Sequence, residues 1–346
     1  MPLKGATAPN RANGRAHPGA YAGLGARHQV AELQRSRMLT AMVQEVSERG
    51  AANVSVGHVV GRSGVSRRTF YEIFDDLEGC FIAAFNAALQ QAETAVVPAY
   101  GTGGAWLARV RSGLAALLGF LDGDRAAARL LIVESLAAGP KALRRRHQVI
   151  TSLVGVVELG RTEGRANLDP PALTAEAIVG GLLSILHGHI TDGARDEMGM
   201  TDGPGHAIEG SLLELAGPLT GMIALPYMGP VAARKEIERP APSPAATGPV
   251  LKSDPLQGLP MRLTYRTMRV LVSVAEHPGS SNRTIGESAG IGDQGQASKL
   301  LARLHKLGLI ENRGGEPARG EPNAWVLTKT GQQVHDSIAG LGADNS

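Results

Sequence analysis

Two arginines, a threonine and a tyrosine follow a Gly-Val-Ser turn in the stretch GRSGVSRRTFYEIF, residues 61–74. Guanidinium and hydroxyl groups bind the phosphate oxygens and base edges of duplex DNA. Gly64 permits a sharp turn because glycine tolerates positive φ, and Ser66 is a favourable N-cap for a following helix. On that helix the apolar side chains can face inward: Val65, Phe70, Ile73 and Phe74. The predicted DNA-contacting side chains occupy its exposed N-terminal end: Ser66, Arg67, Arg68, Thr69 and Tyr71.

A second stretch near the other end of the chain, GIGDQGQASKLLARLHKLGLI (290–310), repeats this arrangement with different residues. Its helical spacing separates an apolar stripe from a polar one. Amides suit adenine, and cations suit guanine or phosphate. The predicted contacts here are Gln294, Gln296, Ser298, Lys299 and Arg303, together with Arg313 and Arg319 on a following hairpin. A role in dimerisation or protein contact is the alternative for this module.

The elements that must position these residues are helical. Aromatic residues make up 3% of the chain, so Ala, Leu and Val must form the cores, which favours helices. Residues 1–25, rich in Gly, Ala and Pro, are predicted to be disordered. Helices are expected from Gln34 to Gly50, over a short segment ending near Arg62, and from Ser66 through Phe74.

The middle of the chain, residues 76–228, is predicted to form a series of Ala/Leu-rich helices. Breaks fall at GTGG (101–104), DGD (122–124), AGP (138–140) and LDPP (168–171). The last two helices, near 172–192 and 205–225, are the most apolar, which indicates burial against each other or against a second subunit.

A Pro/Ala/Ser-rich segment then predicts a flexible linker, assigned to residues 229–258. Beyond it, helix–helix–helix–hairpin–helix is the order of a winged helix, over residues 259–340.

Charge is distributed unevenly along the chain. Residues 1–74 hold ten Lys/Arg against four Asp/Glu, whereas residues 75–228 hold eleven against seventeen. Six of the first ten cations lie between Arg35 and Arg68, inside the patterned segment, which favours an anionic polymer as partner.

Other classes of protein find little support. The single cysteine, Cys80, suits a reducing cytosol and a small buried hydrophobe more than a redox switch. Three prolines between Leu215 and Ala233 argue against a membrane-spanning helix, and the first residues lack the apolar core of a secretory signal. His187 and His189 diverge on a helix, so they cannot share a metal there. No catalytic grouping is present. We expect a soluble cytosolic protein that is not an enzyme and needs no cofactor or metal.

The segment from Arg35 to Phe85, through VSVGHVVGRSGVSRRTFYEIFDDLEGCF, resembles the DNA-binding domain of the TetR family of repressors. The resemblance favours DNA binding over an ordinary amphipathic helix with two solvated arginines. Members often have a lysine where DDLEG places Leu77. The stretch KLGLIENR…WVLTKTG is similar to the winged helix of MarR-type regulators, over about 262–340, although Pro317-Ala318-Arg319 lacks the aspartate that often precedes the wing arginine.

These observations predict a mainly α protein: TetR-like N-terminal and middle domains and a C-terminal winged helix with a small β-hairpin. The domains are assigned as 26–80 for DNA binding and 81–228 for dimerisation. The resemblance implies a homodimer that binds double-stranded DNA and a small-molecule effector. The few aromatic residues of the middle domain favour plain core packing, and the alternative is that they are the candidate walls of the effector site: Phe81, Phe85, Tyr100, Trp106 and Phe120.

Overall fold

The structure is a computed structural model that describes residues 19–101, 103–164, 168–197, 211–241, 265–314 and 322–343. The fold is mainly α with one small antiparallel β-hairpin, as predicted. The chain divides into two compact units. One comprises residues 34–262, and the other comprises residues 263–346 grouped with residues 1–33.

The N-terminal and middle helices follow the breaks that the sequence predicted. They are α1 (Gly19–Arg49), α2 (Val56–Ser63), α3 (Arg67–Ile73), α4 (Leu77–Tyr100), α5 (Trp106–Gly123), α6 (Arg125–Ala128), α7 (Pro140–Glu158), α8 (Gly160–Glu163), α9 (Thr174–Glu197), α10 (Ala216–Met228) and α11 (Pro230–Ile237). A π-helical turn, Arg129–Val133, and a 3₁₀ turn, Glu134–Leu136, join α6 to α7.

Short polar residues start the helices of the N-terminal region. The Ser55 hydroxyl accepts the backbone N–H of His58, and the His58 ring accepts the Ser55 N–H, so α2 begins with a capping box. Gly64 has φ +67° and ends α2, where a side chain would be strained. The Asp76 carboxylate accepts the Gly79 N–H at 2.5 Å and starts α4.

Helix α1 begins earlier than expected. The Gly/Ala/Pro composition predicted disorder through residue 25, but the helix starts at Gly19. Residues 19–26 hold three alanines, which favour a helix, and three glycines, which disfavour it, so their composition alone does not account for the extension.

A correction is also needed in the segment assigned to the linker. Residues 230–237 form α11, which packs on α10. Glycine allows the contact, since a Cβ on Gly221 would lie 2.6 Å from Ile237 Cγ1. Arg111 of α5 donates to the Glu236 carboxylate at 2.9 Å in a buried ion pair. Residues 242–264, which hold most of the predicted linker, lie outside the described residues.

The C-terminal unit has the predicted order of elements. It contains α12 (Tyr265–Glu276), α13 (Asn282–Ser288), α14 (Gln294–Lys306), β1 (Ile310–Asn312), β2 (Trp325–Leu327) and α15 (Lys329–Ala343). The strands are antiparallel, with Glu311 opposite Val326. The side-chain oxygen of Asn282, Oδ1, accepts a hydrogen bond from Trp325 Nε1 at 2.5 Å, which links the start of α13 to the hairpin. In the described parts of both units, no helix is long and apolar enough to cross a membrane.

In the core of the unit that comprises residues 34–262, a glycine packs against two large aromatic rings. Trp106 and Tyr227 are buried with ring centroids 5.4 Å apart. A Cβ on Gly160 would lie 2.7 Å from an atom of each ring. A side chain at this position therefore has no space.

We expect Gly160→Ala to lower the free energy of unfolding by about 1–3 kcal/mol, because it over-packs this core. The matched control is Gly155→Ala. Gly155 is an exposed residue of α7, and a Cβ there meets no atom within 4 Å. That control should be neutral or gain up to ~1 kcal/mol of helix propensity. Urea unfolding followed by circular dichroism measures both, and equal effects of the two substitutions would contradict the packing argument.

Candidate nucleic-acid interface

The orientation of α3 is set by one hydroxyl and two buried rings. The Ser66 hydroxyl accepts the Thr69 N–H at 3.1 Å and lies 2.9 Å from the Thr69 hydroxyl. Phe70 is fully buried and Phe74 is nearly so, with ring centroids 5.6 Å apart. The predicted inward face and N-cap of α3 are therefore observed, and the opposite face of its first turn lies at the surface.

That surface carries the predicted cations. Arg67 and Arg68 are exposed, and the Arg68 side chain is 89% accessible although it pairs with Glu72 at 2.9 Å. An exposed pair of this kind is worth at most about 1 kcal/mol, so a phosphate can replace Glu72 at small cost. Tyr71 is 58% exposed and presents its ring and hydroxyl beside them.

Arg67 also approaches the N-terminal turn of α2. A Cβ placed on Gly57 would lie 3.3 Å from Arg67 Nη2. The absence of a side chain at Gly57 thus leaves room for this guanidinium. Because a helix N-terminus carries partial positive charge, the start of α2 and Arg67 together form one positive surface.

A cluster of charges that sequence reasoning did not single out holds α2 against α1. The buried Glu45 carboxylate accepts Arg62 Nε at 2.6 Å and Arg49 Nε at 2.5 Å, and Arg62 also pairs with Glu48. Burial acts to raise the pKa of Glu45, but the hydrogen bonds from the two arginines outweigh it and hold that pKa below its ordinary value. Glu45 is therefore ionised, and it fixes the helix that precedes the turn at Gly64.

The start of α4 is stabilised by a side chain that is distant in sequence. Leu77 occupies the position where the resembling family often has a lysine, and here Lys141 of α7 brings an ammonium group to the same helix end. Its Nζ lies 2.8 Å from the Asp76 carboxylate. The hydrogen bond from Lys141 and that from the Gly79 N–H lower the pKa of Asp76. Sequence spacing alone could not reveal this contact, because 65 residues separate the partners.

The predicted contact residues of the C-terminal unit that the structure describes lie on α14 and, for Arg313, directly after β1. Asp293 caps α14 by accepting the N–H groups of Gly295 and Gln296. Four of the predicted residues are exposed on the helix: Gln294, Gln296, Lys299 and Arg303. Ser298 is half-buried and accepts Asn282 Nδ2 at 3.1 Å, so its hydroxyl also supports the fold.

Hydrogen bonds already engage two further side chains of this surface. The side-chain oxygen of Gln296, Oε1, accepts a hydrogen bond from Arg266 Nη1 at 3.0 Å. Arg313 is exposed and pairs with Glu311 at 2.7 Å. Arg319 lies outside the described residues.

None of the five aromatic residues predicted as candidate effector-site walls lines the cleft between α7 and α9. Phe81, Phe85, Trp106 and Phe120 are buried in the core, and Trp106 Nε1 donates to the Val156 carbonyl at 3.0 Å. Tyr100 is half-buried and packs against the Arg109 guanidinium, 5.4 Å from its ring centroid. These positions agree with core packing, which the sequence left as the alternative.

A cleft of about 400 Å³ lies elsewhere, between α7 and α9. Its lining comprises Leu136, Arg146, Ile150, Val154, Glu176, Gly180, Leu183, Ser184 and His187. Sequence reasoning missed it as a site. The sequence signals were the basic run Arg144-Arg145-Arg146-His147, which predicts a solvated helix face or, as the alternative, a contact with an acidic ligand or partner, and His187, which predicts a buried or interfacial histidine.

The cysteine and the histidines of α9 have surroundings that the described residues define. Burial raises the pKa of the Cys80 thiol to about 12, so the thiolate needed for reaction does not form near neutral pH. The His189 ring lies 2.9 Å from the Ile185 carbonyl, within its own helix. Among the described residues no group of three or more His, Cys, Asp or Glu side chains could hold a metal ion.

Comparison with known proteins gives only distant likenesses. No protein-family model and no curated protein matches the chain. Among solved structures, the transcriptional regulator FadR from Bacillus subtilis, in complex with stearoyl-CoA, is 15% identical with a TM-score of 0.44, covering 55% of this chain and 97% of that one.

Two further solved structures are of the same kind. A TetR family transcription regulator from Marinobacter aquaeolei VT8 is 20% identical with a TM-score of 0.40, covering 56% of this chain and 94% of that one. RolR, in complex with resorcinol, is 19% identical with a TM-score of 0.40, covering 62% and 98%.

Proposed function

We propose that this protein is a dimeric, ligand-responsive transcription regulator that binds a palindromic operator through α3 and acts as a repressor. The observation that carries the proposal is the division of α3 into a buried back, Phe70 and Phe74, and an exposed cationic first turn. A recognition helix needs this division, because the side chains of its N-terminal turn contact base edges and phosphates.

The roles of the exposed side chains follow from their chemistry. Arg67, beside the start of α2, suits a backbone phosphate, and this contact would set the position of the helix on DNA. Arg68 is free to extend to a guanine edge once it releases Glu72. Thr69 and Tyr71 offer a hydroxyl and a ring to the backbone or to a thymine methyl group.

If α3 is a recognition helix, replacing both Arg67 and Arg68 by Ala will weaken binding to an operator selected from a random DNA library at least about 10-fold. It will also reduce the slope of log affinity against log salt by about one, for the lost phosphate contact of Arg67. Fluorescence anisotropy across a range of salt concentrations measures both quantities.

The charge-matched control replaces two exposed arginines of the same unit, Arg144 and Arg234, by Ala. It should leave affinity and slope near those of the wild-type protein. Unchanged binding by the Arg67/Arg68 variant would overturn the proposed function.

Dimerisation through α9 and α10 is supported by exposed apolar side chains on these helices and at their ends. Leu173 is 70% exposed and Leu225 is 52% exposed, with Met222 one turn before Leu225. An exposed apolar surface of this kind marks an interaction site, and a dimer would place two recognition helices about 34–36 Å apart, one DNA turn.

A charge placed in this surface should prevent association, because an unpaired buried cation is costly. We expect Leu225→Arg to be monomeric by light scattering coupled to size-exclusion chromatography. Val97→Arg, at an equally exposed apolar position on α4, should remain dimeric. A dimeric Leu225→Arg protein, or two variants that behave alike, would place the interface elsewhere.

We further propose that the C-terminal unit is a winged helix that adds a second DNA-binding site. Its support is the exposed stripe on α14. The side chains of Lys299 and Arg303 there have no hydrogen bond or ion pair among the described residues. Two linked sites on one DNA molecule would gain affinity through effective concentration. The alternative is a protein-interaction module, which the exposed polar helix also suits.

Replacing Lys299 and Arg303 by Ala separates these two hypotheses. Loss of at least threefold in affinity for long selected DNA, with a salt slope reduced by one to two, supports direct DNA contact. Lys329→Ala, an exposed lysine of α15, serves as the control. An unchanged slope and affinity would favour the protein-interaction alternative.

A further inference from the structure

We propose that the cleft between α7 and α9 binds a small organic carboxylate with an apolar body, and that Arg146 is the residue that selects the carboxylate. This inference rests on the proposed function, for which it supplies the chemical class of the effector and the path by which the effector acts.

The shape and lining of the cleft suit a small amphipathic molecule. Its volume of about 400 Å³ falls at the small end of the range of ligand sites in proteins. One wall is aliphatic and is formed by Ile150 and Val154 of α7 and Leu183 of α9. Gly180 and Ser184, exposed on α9, leave the other side open. An apolar body placed along the aliphatic wall would be removed from water there.

Arg146 supplies the charge that such a molecule would need. It is half-buried at the cleft, and in the described parts of the chain no hydrogen-bond or ion-pair partner is found for it. Burial lowers the pKa of Arg146, with no opposing contribution from a carboxylate. A partly desolvated guanidinium without a counter-ion favours an anion, and its planar fork matches a carboxylate.

The other polar groups of the cleft limit the charge of the ligand. Glu176 is exposed at the rim and would repel a dianion such as a phosphate monoester. His187 and Ser184 can each donate one hydrogen bond. One guanidinium, one carboxylate and two further hydrogen-bond donors therefore fit a single carboxylate better than a phosphate.

The cleft is joined to the DNA-binding helices through the first turn of α7. The Glu78 carboxylate of α4 accepts the N–H of Lys141 at 2.5 Å and that of Ala142 at 3.3 Å. Gly139 has φ +115°, and a Cβ there would lie 2.6 Å from Glu78 Oε1. The close approach of the two helix starts therefore requires glycine, and a shift of α7 must move the start of α4.

A second contact joins the segment before α7 to the turn between α1 and α2. Leu136 lines the cleft, and Glu134, two residues before it, accepts the Ala51 N–H at 2.8 Å from the turn between α1 and α2. A ligand that favours one position of α7 and Leu136 can thus bias the helices that carry Arg67 and Arg68. The size of the effect is limited to the difference in ligand affinity between the two arrangements.

Binding can be tested on the full-length protein without DNA. The probes are octanoate, decanoate and 4-phenylbutyrate, with octanol and octylamine as neutral and cationic counterparts, in isothermal titration calorimetry. We expect at least one of the carboxylates to bind and its counterparts to bind at least 10-fold more weakly. Arg146→Gln should weaken that carboxylate at least about 10-fold, the loss expected for a charge-assisted hydrogen bond.

Arg144→Gln is the matched control, because Arg144 is exposed two residues away and does not line the cleft. It should bind the carboxylate as the wild-type protein does. Absence of binding by all three carboxylates, or equal affinity of the Arg146→Gln and Arg144→Gln proteins, would overturn the assignment.

The coupling is tested by adding the bound carboxylate to the protein–DNA complex in the anisotropy assay. We expect a reduction in DNA affinity that Glu78→Ala diminishes without changing carboxylate affinity more than twofold. A reduction that persists undiminished in Glu78→Ala would refute this path. A protein that binds the carboxylate but no DNA would refute the proposed function alone, since calorimetry decides the cleft separately.

Discussion

The orientation of α3 depends on the burial of Phe70 at its back. With this ring in the core and Ser66 capping the helix, the first turn has one orientation, and the side chains between them must face outward. Removal of Phe70 would leave a cavity costing several kcal/mol and would release the helix. The exposure of Arg67 and Arg68 is thus a consequence of packing on the opposite side.

Carboxylates at segment junctions form a second theme of the structure. Glu45 joins α1 to α2, Glu78 joins α4 to α7, and Glu134 joins the turn after α1 to the segment before α7. Each accepts hydrogen bonds from arginines or from backbone N–H groups at a helix start or a tight turn, and such charge-assisted bonds are stronger than neutral ones. Because these bonds have fixed donors and directions, they define how the helices meet more sharply than apolar contact alone.

A chain with few aromatic residues achieves close packing by placing glycine where helices approach. Gly160 lies against Trp106 and Tyr227, and Gly221 lies against Ile237. Gly139 brings the start of α7 onto Glu78 of α4. Glycine therefore contributes to the packing of the folded part of the chain.

The sequence by itself determined the local features of this protein. Helix starts, stops and inward faces follow from residues within one or two turns, so the Ser66 cap, the turn at Gly64 and the buried face of α3 were predictable. The exposed stripe of α14 was predictable in the same way. The tertiary structure alone decided which distant residues meet. Three contacts could not be predicted from the sequence: that of Lys141 with Asp76, the packing of α11 on α10, and the placement of Arg146 and Leu183 in one cleft. They depend on how separate helices pack against one another. The predicted aromatic walls of the effector site show the same limit: composition identified the large side chains, and packing placed them in the core.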